Sequence, residues 1–261
     1  MSASERENAE IVMIFARAPE AGRTKTRLIP ALGAERAAVL HGAFVRDVVD
    51  RHVSWAARHP NRRVELHCAD TPDHPLWAEL GLPLHGQDGS DLGARMEAAF
   101  REALSRAQKV VILGTDSPTL DPAAVDAAFA ALEDVPVALG PADDGGYHLL
   151  GLRGQVPPIF RGPVWGGDRV LRDTVDSLDR LHIRYRSMKP CFDVDRPEDL
   201  PRLAGEIARL ARTSGPVPVR TAACLRAWGF DAGPIPGEED NRDGGGFETA
   251  GGGGDGPLSR G

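Results

Sequence analysis

The first apolar block of the chain, 11–15, is short, rich in β-branched side chains and bounded by Arg17, Pro19 and Gly22. It is too short for a helix. An unbroken apolar run of this kind reads as a strand buried on both faces of a parallel sheet. The Ala-rich stretch 34–58 predicts a long helix. Strands follow at 63–68 and, shorter, at 82–85. Segment 91–107 carries Leu92, Met96, Ala99, Phe100 and Ala103 at helical spacing on one face. The clearest central strand is 110–113. Asp121-Pro122 then opens a helix, with Asp accepting free N–H groups and Pro suiting the first helical position. Further strands are predicted at 135–139, 146–152 and 183–187. Helices are predicted at 168–181, 196–212 and, shorter, at 221–228. Repeated strand–helix alternation predicts an α/β fold built on a mostly parallel sheet, and no internal repeat is visible.

Composition changes this picture mainly at the C-terminus. The chain has 261 residues, a formal charge of −7 and 41% hydrophobic residues, enough for a real core. Segment 231–261 holds 11 of the 30 glycines and seven acids against two bases. Its scarcity of apolar residues predicts a disordered tail. The remaining chain is close to neutral, which argues against a nucleic-acid groove. The longest apolar runs, 11–16 and 110–113, fall far short of the ~20 residues of a membrane span. No secretory h-region is present. Cys68, Cys191 and Cys224 are widely spaced and form no CxxC pattern, as expected in a reducing compartment. The expectation is a cytoplasmic protein with no membrane and no nucleic-acid partner. Its oligomeric state is left open.

In open α/β sheets, ligands bind beyond the carboxyl ends of the strands, and four segments follow predicted strand ends. Segment 16–28 carries Arg17, Gly22, Arg23, Lys25 and Arg27. It reads either as a phosphate-binding loop or as a solvated basic loop whose cations matter little to stability. Gly114-Thr115-Asp116-Ser117-Pro118 offers a carboxylate suited to a divalent cation, or a turn Asp. Asp143-Asp144-Gly145-Gly146 reads as a hairpin turn, or as a pocket floor with a general base. In Asp193-Val194-Asp195-Arg196-Pro197-Glu198, Asp195 with Glu198 fits a capping box. Asp193 lacks that explanation and, with Asp116, is a candidate for holding one metal. Two further segments are 87–96, with a helix N-cap at Ser90 or Asp91, and Trp165-Gly166-Gly167-Asp168, an aromatic beside a flexible turn.

In this order the segments resemble the small bacterial GT-A-fold transferases known as glycosyltransferase A or selenodomain-associated transferases, with members assigned to arsenosugar biosynthesis. The resemblance rests on 15–28 (PxxGxxKTRL), 91–96 (DLGxRM), 114–118 (GTDSP), 140–151 (GPxxDGGYxLxG) and 193–200 (DxDxPEDL). It extends over 10–212, with 213–230 as a short extension before the tail 231–261. It implies a three-layer α/β/α sandwich of the nucleotide-diphospho-sugar transferase type and a divalent metal, Mg²⁺ or Mn²⁺. By the same analogy Asp116 is a metal-binding carboxylate, with Asp193 or Asp195 as a second. Arg17, Gly22, Lys25, Arg27, Asp91 and Thr115 are nucleotide contacts. Asp144 and Tyr147 belong to the acceptor side, with Trp165. One departure is Trp165-Gly166-Gly167 where such sequences usually carry Trp-Ser-Thr.

Three functions follow as expectations. The leading one is a metal-dependent glycosyltransferase using a nucleotide-diphosphate sugar and a small-molecule acceptor. Asp116, Lys25 and Asp144 are its catalytic candidates, with Asp144, or else Asp143 or His148, as the base. The alternative is a nucleotidyltransferase of the phospholactate or molybdopterin guanylyltransferase kind, moving NMP from an NTP to a small anionic acceptor with release of pyrophosphate. The third is a non-catalytic nucleotide sensor or scaffold.

Overall fold

The strands that the apolar pattern marks out assemble into one seven-stranded sheet. The computed structural model describes residues 8–233, so the expected tail lies outside it from residue 234 onward. The strands are β1 (Glu10–Ala16), β2 (Arg62–Cys68), β3 (Leu84–Gly86), β4 (Lys109–Leu113), β5 (Val137–Pro141), β6 (Tyr147–Arg153) and β7 (Tyr185–Ser187). Their order across the sheet is β3-β2-β1-β4-β6-β5-β7. All pairings are parallel except the two made by β6.

Eight α-helices cover the sheet among the described residues: α1 (Ile29–Leu32), α2 (Ala34–Ala56), α3 (Pro75–Leu80), α4 (Leu92–Leu104), α5 (Ala123–Asp134), α6 (Val170–Arg180), α7 (Asp199–Arg212) and α8 (Val219–Ala227). The layering follows from β1, which is apolar at almost every position. Val12 and Ile14 pack under α2 and α5, while Ile11, Met13 and Phe15 pack under α4 and α6. Both faces of a strand with no polar side must be covered, and the result is the expected three-layer α/β/α sandwich. A third cluster joins α2 to α7 and α8 around Phe44, Leu203, Ile207 and Leu225. There the buried Asp47 of α2 accepts hydrogen bonds from the backbone N–H and hydroxyl of Thr221. Packing continues to Ala232, which is fully buried, past the boundary expected at residue 231.

The pattern missed α3 and the short turns at Thr26–Leu32. Each is too brief to show periodicity, although Pro75 at the start of α3 and the His74 side chain accepting from Leu76 N are recognisable helix-start features. Among the described residues no helix is long and apolar enough to cross a membrane.

Candidate active site

Strands β1, β2, β4 and β5 end at the same edge of the sheet, and antiparallel β6 begins there. The chain after β7 returns along this edge. Cys191 N donates to Pro141 O at 3.0 Å, and Val194 N donates to Asp116 O at 2.9 Å. These two backbone bonds carry Asp193 and Asp195 to the ends of β5 and β4. The edge is hollowed into a cleft of about 610 Å³ whose walls include Arg17, Asp116, Asp144, Tyr147, Trp165 and Asp193. A smaller cavity of about 290 Å³ adjoins it, lined by Arg27, Arg196 and Arg202. Asp144, Asp193 and Asp195 border both cavities.

Lys25 departs most from the sequence reading. It is not an exposed loop cation: its side chain is 4% exposed. Its backbone is left-handed, φ 48°, which turns the side chain inward from the loop. Nζ lies 2.5 Å from Asp116 Oδ1, 2.9 Å from Asp195 Oδ1 and 2.7 Å from Val194 O, so the ammonium is saturated by protein oxygens. Burial disfavours its charge, but Asp116 and then Asp195 outweigh this and hold the Lys25 pKa above its ordinary value. Burial likewise works against ionisation of Asp116, yet Lys25 and His41 keep its carboxyl below the usual range.

Asp195 is therefore a counter-ion and not a helix cap. Its Oδ2 also meets Arg27 Nη1 at 3.3 Å. The expected Asp195–Glu198 capping box is replaced by Asp199, whose Oδ2 accepts from Asp195 N at 2.9 Å and Arg196 N at 2.7 Å. Helix α7 accordingly begins at Asp199.

The carboxylates of Asp144, Asp193 and Asp195 present ligand atoms within 4.8 Å of one another. Asp116 stands outside this group, joined to it through Lys25. Burial, and then the charge of Asp144, push the Asp193 carboxyl up to about 7. The three carboxylates form an all-oxygen donor set of the kind that suits a hard cation such as Mg²⁺ or Mn²⁺. The residues present fit the expected metal: Asp193 and Asp195 lie in the cluster, Asp144 lies with them, and Asp116 is paired with Lys25 beside it.

The remaining candidates separate. Thr115 and Asp91 border the large cleft, although Asp91 Oδ1 also accepts from Ala94 N and caps α4. Gly22 lies in the loop and does not border either cavity, and Arg27 reaches only the smaller one. Tyr147 and Trp165 form an aromatic wall, edge to face at 6.3 Å. Two glycines permit this arrangement. A Cβ on Gly93 would lie 2.1 Å from the Trp165 ring, and one on Gly145, φ +88°, would lie 1.9 Å from Asp168 O. Asp144 Oδ1 accepts from Gly146 N, so the hairpin turn and the pocket floor are the same structure. Asp143 is drawn away to Arg202 at 2.8 Å.

Sequence reasoning missed His41 and Arg95, which also border the cleft. His41 is buried, its Nε2 is 3.1 Å from Arg17 O, and burial lowers its pKa. His41 sits inside a helical segment, where nothing local distinguishes a cleft residue from any other, whereas Arg95 is the Arg of the DLGxRM element and that motif could have marked it.

Residues 44–167 match a family described as uncharacterized protein conserved in bacteria, DUF2064. No curated protein matches the chain. Among solved structures, it resembles a Desulfovibrio desulfuricans G20 protein that carries a provisional nucleotide-diphospho-sugar transferase assignment. The two share 28% identity over 85% of this chain and 95% of that one, with a TM-score of 0.74. It also resembles a CMP:2-keto-3-deoxy-manno-octonic acid synthetase solved with CTP, at 13% identity over 77% of this chain and 99% of that one, TM-score 0.50. The fold is thus the α/β fold of nucleotide-diphospho-sugar transferases.

Proposed function

We propose that the protein is a divalent-metal-dependent glycosyltransferase that takes its sugar from a nucleoside-diphosphate donor. The observation that carries this reading is a cluster of three carboxylates at the junction of two cavities. The larger has the size of a nucleotide-sugar site and the smaller is suited to an acceptor. A cation held by Asp144, Asp193 and Asp195 would neutralise the diphosphate and the charge developing on the leaving group.

The other roles belong to the chain itself. Lys25 does not bind phosphate in this reading; it holds Asp116 and Asp195 in fixed orientation through its 2.5 and 2.9 Å contacts. Arg17 is the exposed cation at the wall of the large cleft and is assigned to the phosphates. Tyr147 and Trp165 present ring faces and edges to a sugar or acceptor. Burial of Lys25 removes the strongest feature of the basic loop, and with it the main sequence argument for an NTP donor.

One observation favours the nucleotidyltransferase alternative. Arg27, Arg196 and Arg202 line the smaller cavity and would meet an anionic acceptor there once a cation offsets the six aspartates of the same wall, two of which already pair with Arg27 and Arg202. The deciding experiment incubates the protein and Mg²⁺ or Mn²⁺ with a nucleotide-sugar panel and, separately, with the four NTPs. Release of nucleoside diphosphate from one sugar donor is expected. Pyrophosphate release from one NTP, with no sugar donor consumed, would replace this reading with the alternative.

A further inference from the structure

A second set of ligand atoms lies at the β2–β3 margin of the sheet, away from the carboxylate cluster. Glu65 and His67 are two apart on β2 and so share a face. His85 is the register partner of His67 on β3. The two imidazoles stack at 4.9 Å and 12°, and Phe15 stacks on His67 at 5.3 Å. Nε2 of His67 lies 3.7 Å from Glu65 Oε2, and Nε2 of His85 lies 3.6 Å from the same oxygen. His67 is 1% exposed, and neither of its ring nitrogens has a hydrogen-bond partner. A buried imidazole with two unpaired nitrogens is costly. Here one of them faces a carboxylate and a second imidazole.

We propose that Glu65, His67 and His85 bind a transition-metal dication of the Zn²⁺ type. Tetrahedral bonds of about 2.0–2.2 Å set ligand atoms about 3.4 Å apart; the two Glu65–imidazole spacings exceed this by only a few tenths of an ångström, all three ligand atoms lie within 4.8 Å of one another, and the His85 ring turns out of its stack on His67 so that both nitrogen lone pairs converge on the ion. Two imidazole nitrogens and one carboxylate suit Zn²⁺, Co²⁺ or Ni²⁺ and disfavour Mg²⁺, unlike the all-oxygen cluster in the cleft.

The surrounding groups act as outer partners. Arg106 donates to both Glu65 oxygens, at 2.6 and 3.0 Å, and orients the carboxylate with Oε2 toward the imidazoles. The Glu102 carboxylate lies 3.7 Å from His85 Nδ1 and favours the tautomer that leaves Nε2 free to ligate. Two carboxylates against one guanidinium leave a net negative charge for the metal to balance.

The site would join the three-residue edge strand β3 to β2. From β3 the chain runs directly into Gln87, which borders the cleft and whose Nε2 donates to His67 O at 2.8 Å. The bound metal thereby fixes one wall of the cleft without entering it.

The test uses the full chain, stripped with a chelator and titrated with Co²⁺ alone. Wild type is expected to develop the intense visible absorption of a four- or five-coordinate site with nitrogen ligands, which Zn²⁺ then abolishes. His85→Gln, on a partly exposed edge strand, should lose the band. Glu102→Gln, on an exposed helix face, should keep it with about 10- to 100-fold weaker binding. Asp193→Asn should keep it unchanged, because the cleft carboxylates absorb only weakly when they hold Co²⁺. Absence of the band in wild type, its survival in His85→Gln, or its loss in Asp193→Asn would overturn the proposal.

Discussion

Replacing Lys25 by Met keeps the length of the side chain and removes its charge. Asp116 and Asp195 then face each other, with Asp195 alone still paired, to the exposed Arg27. Removing one partner of a buried ion pair costs about 3–5 kcal/mol. Here the carboxylates are 48% and 29% exposed, so water recovers part of that loss, and about 2–3 kcal/mol is expected. For a domain of this size that is a fall in Tm of about 4–12 °C.

The pH dependence carries the diagnostic sign. Asp116 is held below its ordinary pKa, so its contribution is present above the unfolded carboxylate value and lost as pH falls through the depressed folded one. Lys25 is raised, so its contribution is present below its unfolded value and lost as pH rises through the folded one. The gap between wild type and Lys25→Met should be full at neutral pH, still present at pH 10, which lies below the ordinary Lys value of 10.5, and should narrow as pH falls below the ordinary Asp value of 3.8. Calorimetric scans at pH 3, 7 and 10 read it directly, and Asp116→Asn in the Lys25→Met background should restore part of the loss. A Tm at pH 7 within about 1 °C of wild type, or a gap that persists unchanged at pH 3, would refute the reasoning.

Three further outcomes are expected. Asp193→Asn should abolish activation by Mg²⁺ or Mn²⁺ while leaving Tm unchanged or raised at pH 8, because it removes a carboxylate that Asp144 and Asp195 repel; full activation in this variant would dismiss the cluster as the metal site. Gly93→Ala, a change that normally stabilises a helix interior by about 1 kcal/mol, should instead destabilise the protein and shift Trp165 fluorescence, since its Cβ would meet the indole at 2.1 Å; a stabilised variant with an unchanged spectrum would contradict that packing. His52 is fully buried and burial lowers its pKa to about 4, so stability should fall by about 3 kcal/mol as pH drops from 6.5 to 4, and His52→Met should lack this acid-dependent part in denaturant titrations.

The hydrophobic pattern alone determined the layers. A strand with no polar face, such as 11–15, has to be covered on both sides, and strand–helix alternation supplies the cover. Local chemistry also marked Asp116 and Asp144, as carboxylates in turns beyond predicted strand ends, and Asp193, which the capping-box reading of its neighbours left unexplained. What those carboxylates do with one another was not legible. Lys25 reads as a loop cation until its left-handed backbone turns it into the protein to meet Asp195, 170 residues away in sequence. Asp195 and Glu198 have the spacing of a capping box, but the pull of Lys25 and the better placement of Asp199 decide otherwise. Glu65 and His67 announce a shared strand face, yet His85 joins them only through the register of an edge strand. Periodicity records whether a side chain points inward or outward, and this is a property of the local backbone. Which charges and ligands meet depends on strand order and register, and these are set by the packing of the whole sheet.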